Sequence, residues 1–370
     1  MPSKSWGKPL KALILAGGFG TRLRPISCTR PKSLFPVLNK PLLQWTFERL
    51  ARSRINEAIL AVNYQTEAAI KQHRIPKHGI RIKYSRDPLG KPLGTGGPIK
   101  KAEKYLSHDD PFLVLNGDIF ADVDYAQMLK LHEQKKATAT IALHQVEDPS
   151  RYGVVQLAKD NRITRFIEKP TREAAPSNLI NAGAYILSPK IFDYIPKGQT
   201  MSIERDVFPK LAEEKTLYGH VFDGLWIDIG KPEDYLQINK ILLDSATTQQ
   251  KPKIGKNATI RTPVALDKGV AIGEGSIIGP YAVLGRNVKV GQNVHIQDSV
   301  ILPNAVISDA SLVNGSIIGD GAFVGKAAKI KGCLLGDCAR INDDVTLVKG
   351  VSVYPAKEIR QSVLTPKVIY

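Results

Sequence analysis

Cysteine is scarce: Cys28, Cys333 and Cys338 are the only three in 370 residues. An odd, scattered set excludes a disulfide-stapled scaffold, offers no metal-site spacing, and fits a reducing, cytoplasmic compartment. Long apolar runs are also missing. None approaches the ~20 residues needed to cross a bilayer, so no membrane association is expected. The first eight residues are polar and lack the apolar core of an export signal. Lys and Arg outnumber Asp and Glu by 52 to 35, a net charge of +17, yet no dense basic block with interleaved aromatics occurs. A dispersed basic surface suits phosphorylated small molecules and argues against a nucleic-acid partner. Two familiar phosphate loops are absent. No Gly-Lys-Ser/Thr completes a P-loop, and Leu23 stands where the third glycine of a dinucleotide fingerprint belongs.

What is present is organised around residues 11–36. Ala12-Leu13-Ile14-Leu15 is a short apolar run bounded by a turn signal, hence a buried strand. Ala16-Gly17-Gly18-Phe19-Gly20-Thr21-Arg22 follows. Its three glycines let the backbone turn sharply and approach a ligand without Cβ clashes, so that several N–H groups can face phosphate oxygens. Arg22, Arg24, Arg30 and Lys32 add four positive charges in a short span. The combination suits a triphosphate; a glycine turn with a solvated basic loop is the plainer alternative.

The length suggests two domains. In the first, residues 41–51 and 66–73 have helical spacing, while 58–62 and 80–84 read as strands. Alternating strands and helices predict a doubly wound α/β sheet. Residues 112–115 form the most apolar strand and run into Asn116-Gly117-Asp118. Ligands of open α/β sheets gather at such carboxyl ends, so Asp118 is placed either to hold a divalent cation or merely to make a turn. Strands are also read over 138–145, 152–157, 163–167 and 179–187. Glu168-Lys169-Pro170 sets a carboxylate and an amine side by side, with Pro170 expected to keep Lys169 extended; an exposed ion pair is the alternative. A helix is expected after Ser202 as far as Ala212, and 222–230 reads as an apolar strand carrying Asp228, whose carboxylate needs a partner, such as a cation shared with Asp118. Residues 232–243 read as a helix and 245–252 as a linker. Beyond it Ile272, Ile278, Leu284, Val290, Ile296 and Leu302 recur every six positions, the pattern of a parallel β-helix. The repeat slips over 304–315 and 331–339, where outward loops or irregular turns are expected. The division is therefore 1–247 and 248–370.

The run Leu15-Ala16-Gly17-Gly18-x-Gly20-Thr21-Arg22-Leu23-x-Pro25 with Pro31-Lys32 resembles the opening motif of the sugar-1-phosphate nucleotidyltransferases. Support comes from Leu93-Gly94-Thr95-Gly96-Gly97-Pro98, Arg165-Phe166-Ile167-Glu168-Lys169-Pro170, Asn181-Ala182-Gly183-Ala184 and Trp226-Ile227-Asp228-Ile229-Gly230. With its repeats, the chain is similar to members that carry a C-terminal left-handed β-helix, most of all the eukaryotic β-subunit branch that makes GDP-mannose. The resemblance implies a Rossmann-like catalytic domain followed by a left-handed parallel β-helix. It implies Mg²⁺-dependent transfer of a nucleotidyl group from a nucleoside triphosphate, GTP in that branch, to a hexose-1-phosphate such as mannose-1-phosphate. By the same resemblance Leu15, Ala16, Gly17 and Gly18 hold base, ribose and phosphates. Gly20, Thr21 and Arg22 wrap the outer phosphates, and Lys32 lies against the reacting ones. Gly94 and Thr95 meet the base edge, Asp118 and Asp228 chelate Mg²⁺, Gly153, Glu168 and Asn181 hold the sugar, and Lys169 its phosphate. Arg22, Lys32, Asp118 and Lys169 are the implied catalytic set, and a homo-oligomer through the β-helix is implied too. The sequence departs from the family pattern at Ser33, where many relatives have Pro, and at Lys91-Pro92, which lengthen the segment before Gly94. Alternatives are a thymidylyl- or uridylyltransferase acting on glucose-1-phosphate, an acetyltransferase in the β-helix, and a non-catalytic regulatory subunit of the same fold.

Overall fold

The computed structural model of the protein describes residues 10–18, 20–88, 93–106, 110–245 and 253–370. The tail before Lys11, the lengthened stretch with Lys91 and Pro92, and most of the 245–252 linker lie outside the described residues. In chain order the first elements are β1 (Ala12–Leu15), β2 (Pro36–Val37), β3 (Lys40–Pro41), α1 (Leu42–Arg52), β4 (Glu57–Val62), α2 (Tyr64–Gln72) and β5 (Arg81–Arg86). Next come α3 (Gly96–Ala102), β6 (Phe112–Asn116), β7 (Ile119–Ala121), α4 (Tyr125–Lys135), β8 (Ala139–Gln145), β9 (Gly153–Leu157) and β10 (Ile163–Glu168). β11 (Leu179–Leu187), α5 (Phe208–Glu213), β12 (Leu217–Val221), β13 (Trp226–Asp228) and α6 (Pro232–Ser245) precede the short strands of the C-terminal region. Contacts divide the chain into two compact units, residues 1–18 with 43–228, and residues 19–42 with 229–370.

The first unit is a mixed sheet of order β10-β9-β11-β6-β1-β4-β5, extended by β8 and β12. β1 runs parallel to both β4 and β6. These three strands are buried on both faces, which is why they read as unbroken apolar runs. From β1 the chain winds outward through β4 and β5, then crosses to β6 on the other flank. The switch point of the sheet therefore lies between β1 and β6, with residues 16–18 and 116–118 at its rim. Caps set the helix starts: the Asn63 side chain accepts from the Thr66 amide at 2.7 Å, and Asp124 accepts from the amides of Ala126 and Gln127.

Three local expectations differ from the structure. Residues 222–230 yield only the three-residue β13, and the neighbouring strand is β12, whose Leu-Tyr-Gly-His-Val sequence hides its buried Leu217 and Gly219 behind a weak pattern. Residues 203–207 form a wide π-type turn, and the α-helix proper starts only at Phe208. Lys169 is not extended: its φ is +51°, because its amide donates to the Tyr152 carbonyl at 3.0 Å as the chain reverses out of β10.

The second unit joins residues 20–42, α6 and the C-terminal coil. The β2–β3 hairpin rests on α6: the Tyr235 hydroxyl donates to the Pro36 carbonyl at 2.5 Å, and Phe35 meets Tyr235 edge-on at 5.7 Å. The coil consists of three parallel sheets of seven, six and seven short strands, a left-handed β-helix with an apolar interior. Its rungs are not uniform. Ala271 pairs with Lys289, eighteen residues on, but Lys289 pairs with Val306, seventeen on. One residue is missing from one corner of each of three successive rungs, where Asp298, Gly315 and Gly332 take φ values of 48°, 58° and 63°. The slips are thus tightened corners, and no outward loop stands there. They also move the inward position from Leu302 to Ile301, which joins the core row of Ile296, Ile307 and Val313.

Candidate active site

In the first unit the turn after β1 is held from both sides. The Ala16 amide donates to the Ala61 carbonyl and the Gly117 amide to the Leu15 carbonyl, both at 2.9 Å. Leu15 and Ala16 are thereby fixed in the switch-point rim. A Cβ on Gly17 would stand 3.3 Å from Asp87 Oδ2, whereas one on Gly18 would meet nothing within 4 Å. The loop is therefore packed at Gly17 and open at Gly18, as a backbone that receives a ligand must be.

Asp118 follows β6 at the same rim, and the β7–β13 ribbon brings Asp228 to it. In that antiparallel pair Asp228 lies opposite Ile119, the residue after Asp118. Opposite Cα atoms in such ladders are about 4.5–5.5 Å apart, so the two acidic residues are near neighbours although 110 positions separate them in sequence (228 − 118). Both are partly exposed. Among the described residues no group of three or more His, Cys, Asp or Glu gathers as a metal cage. Two hard carboxylates at this rim have the donor chemistry that suits Mg²⁺, an ion that prefers oxygen ligands.

Trp226 of the same ribbon touches neighbours of the residues expected to hold the sugar. Its indole N–H donates to the Ala182 carbonyl at 3.1 Å, next to Asn181, and its ring meets Tyr152 edge-on at 5.1 Å. Tyr152 is followed by Gly153, which pairs with Glu168 across β9–β10. A Cβ on Gly153 would lie 2.9 Å from Glu168 Oε2 and 2.5 Å from the Phe166 ring, so only glycine leaves this carboxylate in place. Lys169 Nζ stands 3.8 Å from Glu168 Oε1 and is half-exposed. Burial, then the charge of Glu204, pushes the Glu168 carboxyl up.

Two polar residues in this unit escape sequence reasoning. Buried Glu204 accepts from the hydroxyls of Thr95, Ser202 and Tyr185, and Tyr185 in turn accepts from the Asn181 amide at 3.0 Å. Thr95 thus spends its hydroxyl on Glu204 and on the Ile203 amide, while Gly94 packs so tightly on Met201 that a Cβ would come within 2.2 Å of its carbonyl. Asp87 stands beside Gly17 with its Oδ1 buried and unpaired, and burial raises its pKa. Glu204 has one partner, Ser202, close in sequence, but Thr95 and Tyr185 come from other elements, and for Asp87 only the Asp87-Pro88 step off a strand could have drawn notice.

The rest of the glycine motif belongs to the second unit. Gly20 has a φ of +58°, and a Cβ there would strike Lys32 Cγ at 2.7 Å. Lys32 is buried against it, while Thr21 and Arg22 are exposed. The Ser27 hydroxyl ties the turn by donating to the Gly20 carbonyl at 2.7 Å. Arg30 is not directed to a ligand: it pairs with Asp337 and Asp320 of the coil, so one of the four expected loop cations is already engaged.

Residues 11–245 match the profile of the nucleotidyl transferase family. The chain belongs to that family. Residues 260–369 match a second profile, the GMPPB C-terminal domain. The nucleotidyl transferase is 40% identical over 262 residues to the mannose-1-phosphate guanylyltransferase catalytic subunit beta of Dictyostelium discoideum, covering 70% of this chain and 71% of the relative. It is 43% identical over 246 residues to the subunit of the same name from Danio rerio, covering 66% and 67%. Among solved structures it is similar to HddC from Yersinia pseudotuberculosis, with a TM-score of 0.55 and 31% identity over 63% of this chain and 99% of that one. No helix among the described residues is long and apolar enough to cross a membrane.

Proposed function

We propose that this nucleotidyltransferase joins GTP to mannose-1-phosphate, releasing pyrophosphate and forming GDP-mannose. The observation that carries the chemistry is the β7–β13 register, which sets Asp228 beside Asp118 at the switch-point rim. The relatives, named as mannose-1-phosphate guanylyltransferase subunits, supply the choice of substrates.

The sugar phosphate oxygen attacks the α-phosphorus of the triphosphate in line, and pyrophosphate leaves. Such a transition state asks for positioning and charge neutralisation, with little proton transfer. The amides around Gly17 and Gly18 receive the nucleotide phosphates. Gly20, Thr21 and Arg22 take the outer phosphates, and Arg22 balances the charge of departing pyrophosphate. Lys32 attends the reacting phosphates. Glu168 and Asn181 accept and donate to sugar hydroxyls in the space Gly153 leaves, and Lys169 pairs with the sugar's phosphate. Asp118 and Asp228 would hold Mg²⁺, which when bound supplies neutralisation of the phosphate charge. Thr95 acts chiefly through its bond to Glu204, with Gly94 shaping the base edge. Asp87 favours guanine: a carboxylate accepts from both N1–H and the 2-amino group, while uracil and thymine offer a single N–H at that edge.

A division at residue 247 into a catalytic part and a β-helix is supported by the ranges of the two family profiles, 11–245 and 260–369. Three unpaired cysteines support a cytoplasmic setting. Assembly into a homo-oligomer through the β-helix is tested by light scattering, where a monomer at micromolar concentration would contradict it. The substrate reading is tested by pyrophosphate release across GTP, UTP and dTTP paired with mannose- and glucose-1-phosphate. GTP with mannose-1-phosphate should give the highest kcat/KM; preference for any other pair would overturn the assignment.

A further inference from the structure

We infer that Arg30 and Asp337 are positioning residues for the transfer, fixing the phosphate-loop segment that carries Lys32 to a corner of the β-helix. This rests on the reading that Lys32 attends the reacting phosphates. Between Gly20 and Phe35 the chain has no regular element longer than a single 3₁₀ turn: Thr21–Leu23, Ile26–Cys28 and Lys32–Leu34. Buried Leu23, Ile26, Leu34 and Phe35 anchor it in the core, and polar side-chain ties fix the stretch between them. Two meet at one carboxylate: Arg30 Nη2 donates to Asp337 Oδ2 at 2.7 Å and the Thr29 hydroxyl donates to the same oxygen at 2.6 Å. The guanidinium also lies 3.5 Å from Asp320 Oδ2.

Both sides of the ion pair are mostly withdrawn from water, with side-chain exposures of 12% for Arg30 and 13% for Asp337. Charge-assisted bonds of this kind are directional and strong. The receiving carboxylate is itself immobilised. Asp337 Oδ1 accepts the Asp320 amide one rung earlier at 2.8 Å, and Asp320 Oδ1 accepts from the Asn304 side chain at 3.0 Å. A stack of corner side chains along the coil thus ends in the residue two positions before Lys32. The aliphatic stem of Lys32 then packs on Gly20, so a shift at Arg30 is passed to both ends of the loop. Small misplacements of a charge at a reacting centre cost roughly a hundredfold in rate, which gives this distant corner leverage on turnover.

The test compares Arg30→Ala, Arg30→Lys, Asp337→Ala, the double Arg30→Ala/Asp337→Ala and Lys32→Ala, by steady-state kinetics, thermal melting and amide hydrogen exchange of residues 32–35. Arg30→Ala and Asp337→Ala should each lower kcat roughly tenfold, with the KM for mannose-1-phosphate within about twofold of wild type. The double variant should lose no more than the larger single loss, since both remove one tie. Exchange of the Leu34 and Phe35 amides should speed up, and Arg30→Lys should recover most of the rate. Should Asp337→Ala fail to fold, Arg30→Ala decides, because it leaves the Asp337–Asp320 corner bond intact. Full turnover in Arg30→Ala beside a dead Lys32→Ala would overturn the positioning role alone. Full turnover in Lys32→Ala would overturn the reading on which it rests, and the positioning role with it.

Discussion

At the scale of single residues, glycine positions make the sharpest claims. Gly153→Ala drives a methyl into the Phe166 ring and the Glu168 carboxylate. We predict a stability loss of about 1–3 kcal/mol from overpacking, and a KM for the sugar phosphate raised by roughly tenfold, one pair of sugar hydrogen bonds lost. An unchanged KM in steady-state kinetics would remove Glu168 from the sugar site. Asp87→Asn replaces two acceptors with one acceptor and one donor. Its kcat/KM for GTP should fall while that for UTP holds or rises, and parallel losses for both nucleotides would contradict a base-reading role. The residues that sequence could show are those where chain position alone implies placement. Asp118 ends a buried strand, and Asp228 sits between Ile227 and Ile229, so each reads as a rim carboxylate. The settings of Asp87 and Glu204 were not legible, because what sets them apart is an unpaired oxygen in one case and, in the other, hydroxyls of Thr95 and Tyr185 from other elements joining that of nearby Ser202. Arg30 was legible as a charge but not as a tie, since its partner lies 307 residues away.

At the scale of elements, α4 is pinned to the sheet by a buried histidine. His132 bonds Thr140 Oγ1 at 3.0 Å and Ser188 Oγ at 2.9 Å, and burial lowers its pKa from 6.5 to about 4. The folded state therefore resists protonation. The stability due to the neutral ring is complete above pH 6.5 and is lost as pH falls from 6.5 toward 4, a swing of about 3 kcal/mol at 1.4 kcal/mol per unit. Melting temperatures should drop over that interval, and His132→Leu should flatten the drop; an identical slope in the variant would count against it. In the coil, a Cβ on Gly273 would come 2.3 Å from the Gly291 carbonyl of the next rung. Gly273→Val should lower the melting temperature of the coil by several degrees, through strain of about 1–3 kcal/mol. The hexad was legible here because the recurring inward residues Ile272, Ile278, Leu284 and Val290 are apolar and each is followed by Gly. The one-residue slips left two readings open, because deletion of a corner residue and insertion of a loop both break a period of six; the pairing of Lys289 with Val306 selects the irregular turn over the outward loop. Elements with continuous apolar runs, such as β4 and β6, were plain, whereas β12 was hidden because an interior Gly219 packs under Leu143 in place of an aliphatic side chain.

At the scale of the whole molecule, the glycine motif is shared out. Gly17 and Gly18 belong to the unit built on the mixed sheet, and Gly20 through Lys32 to the unit built on the coil. A single motif in sequence is thus supported by two different sets of packing, and on the proposed reading the coil acts by holding Gly20 through Lys32 in place. The acidic pair is the centre of the account. The decisive measurement is pyrophosphate release from GTP and mannose-1-phosphate with Mg²⁺ by the wild type, Asp118→Ala and Asp228→Ala, each checked for an unchanged melting temperature. Each substitution should lower kcat by roughly a thousandfold, the several kcal/mol that metal-held phosphate charge is worth; a folded variant of either kind that turns over at the wild-type rate would contradict the shared metal site.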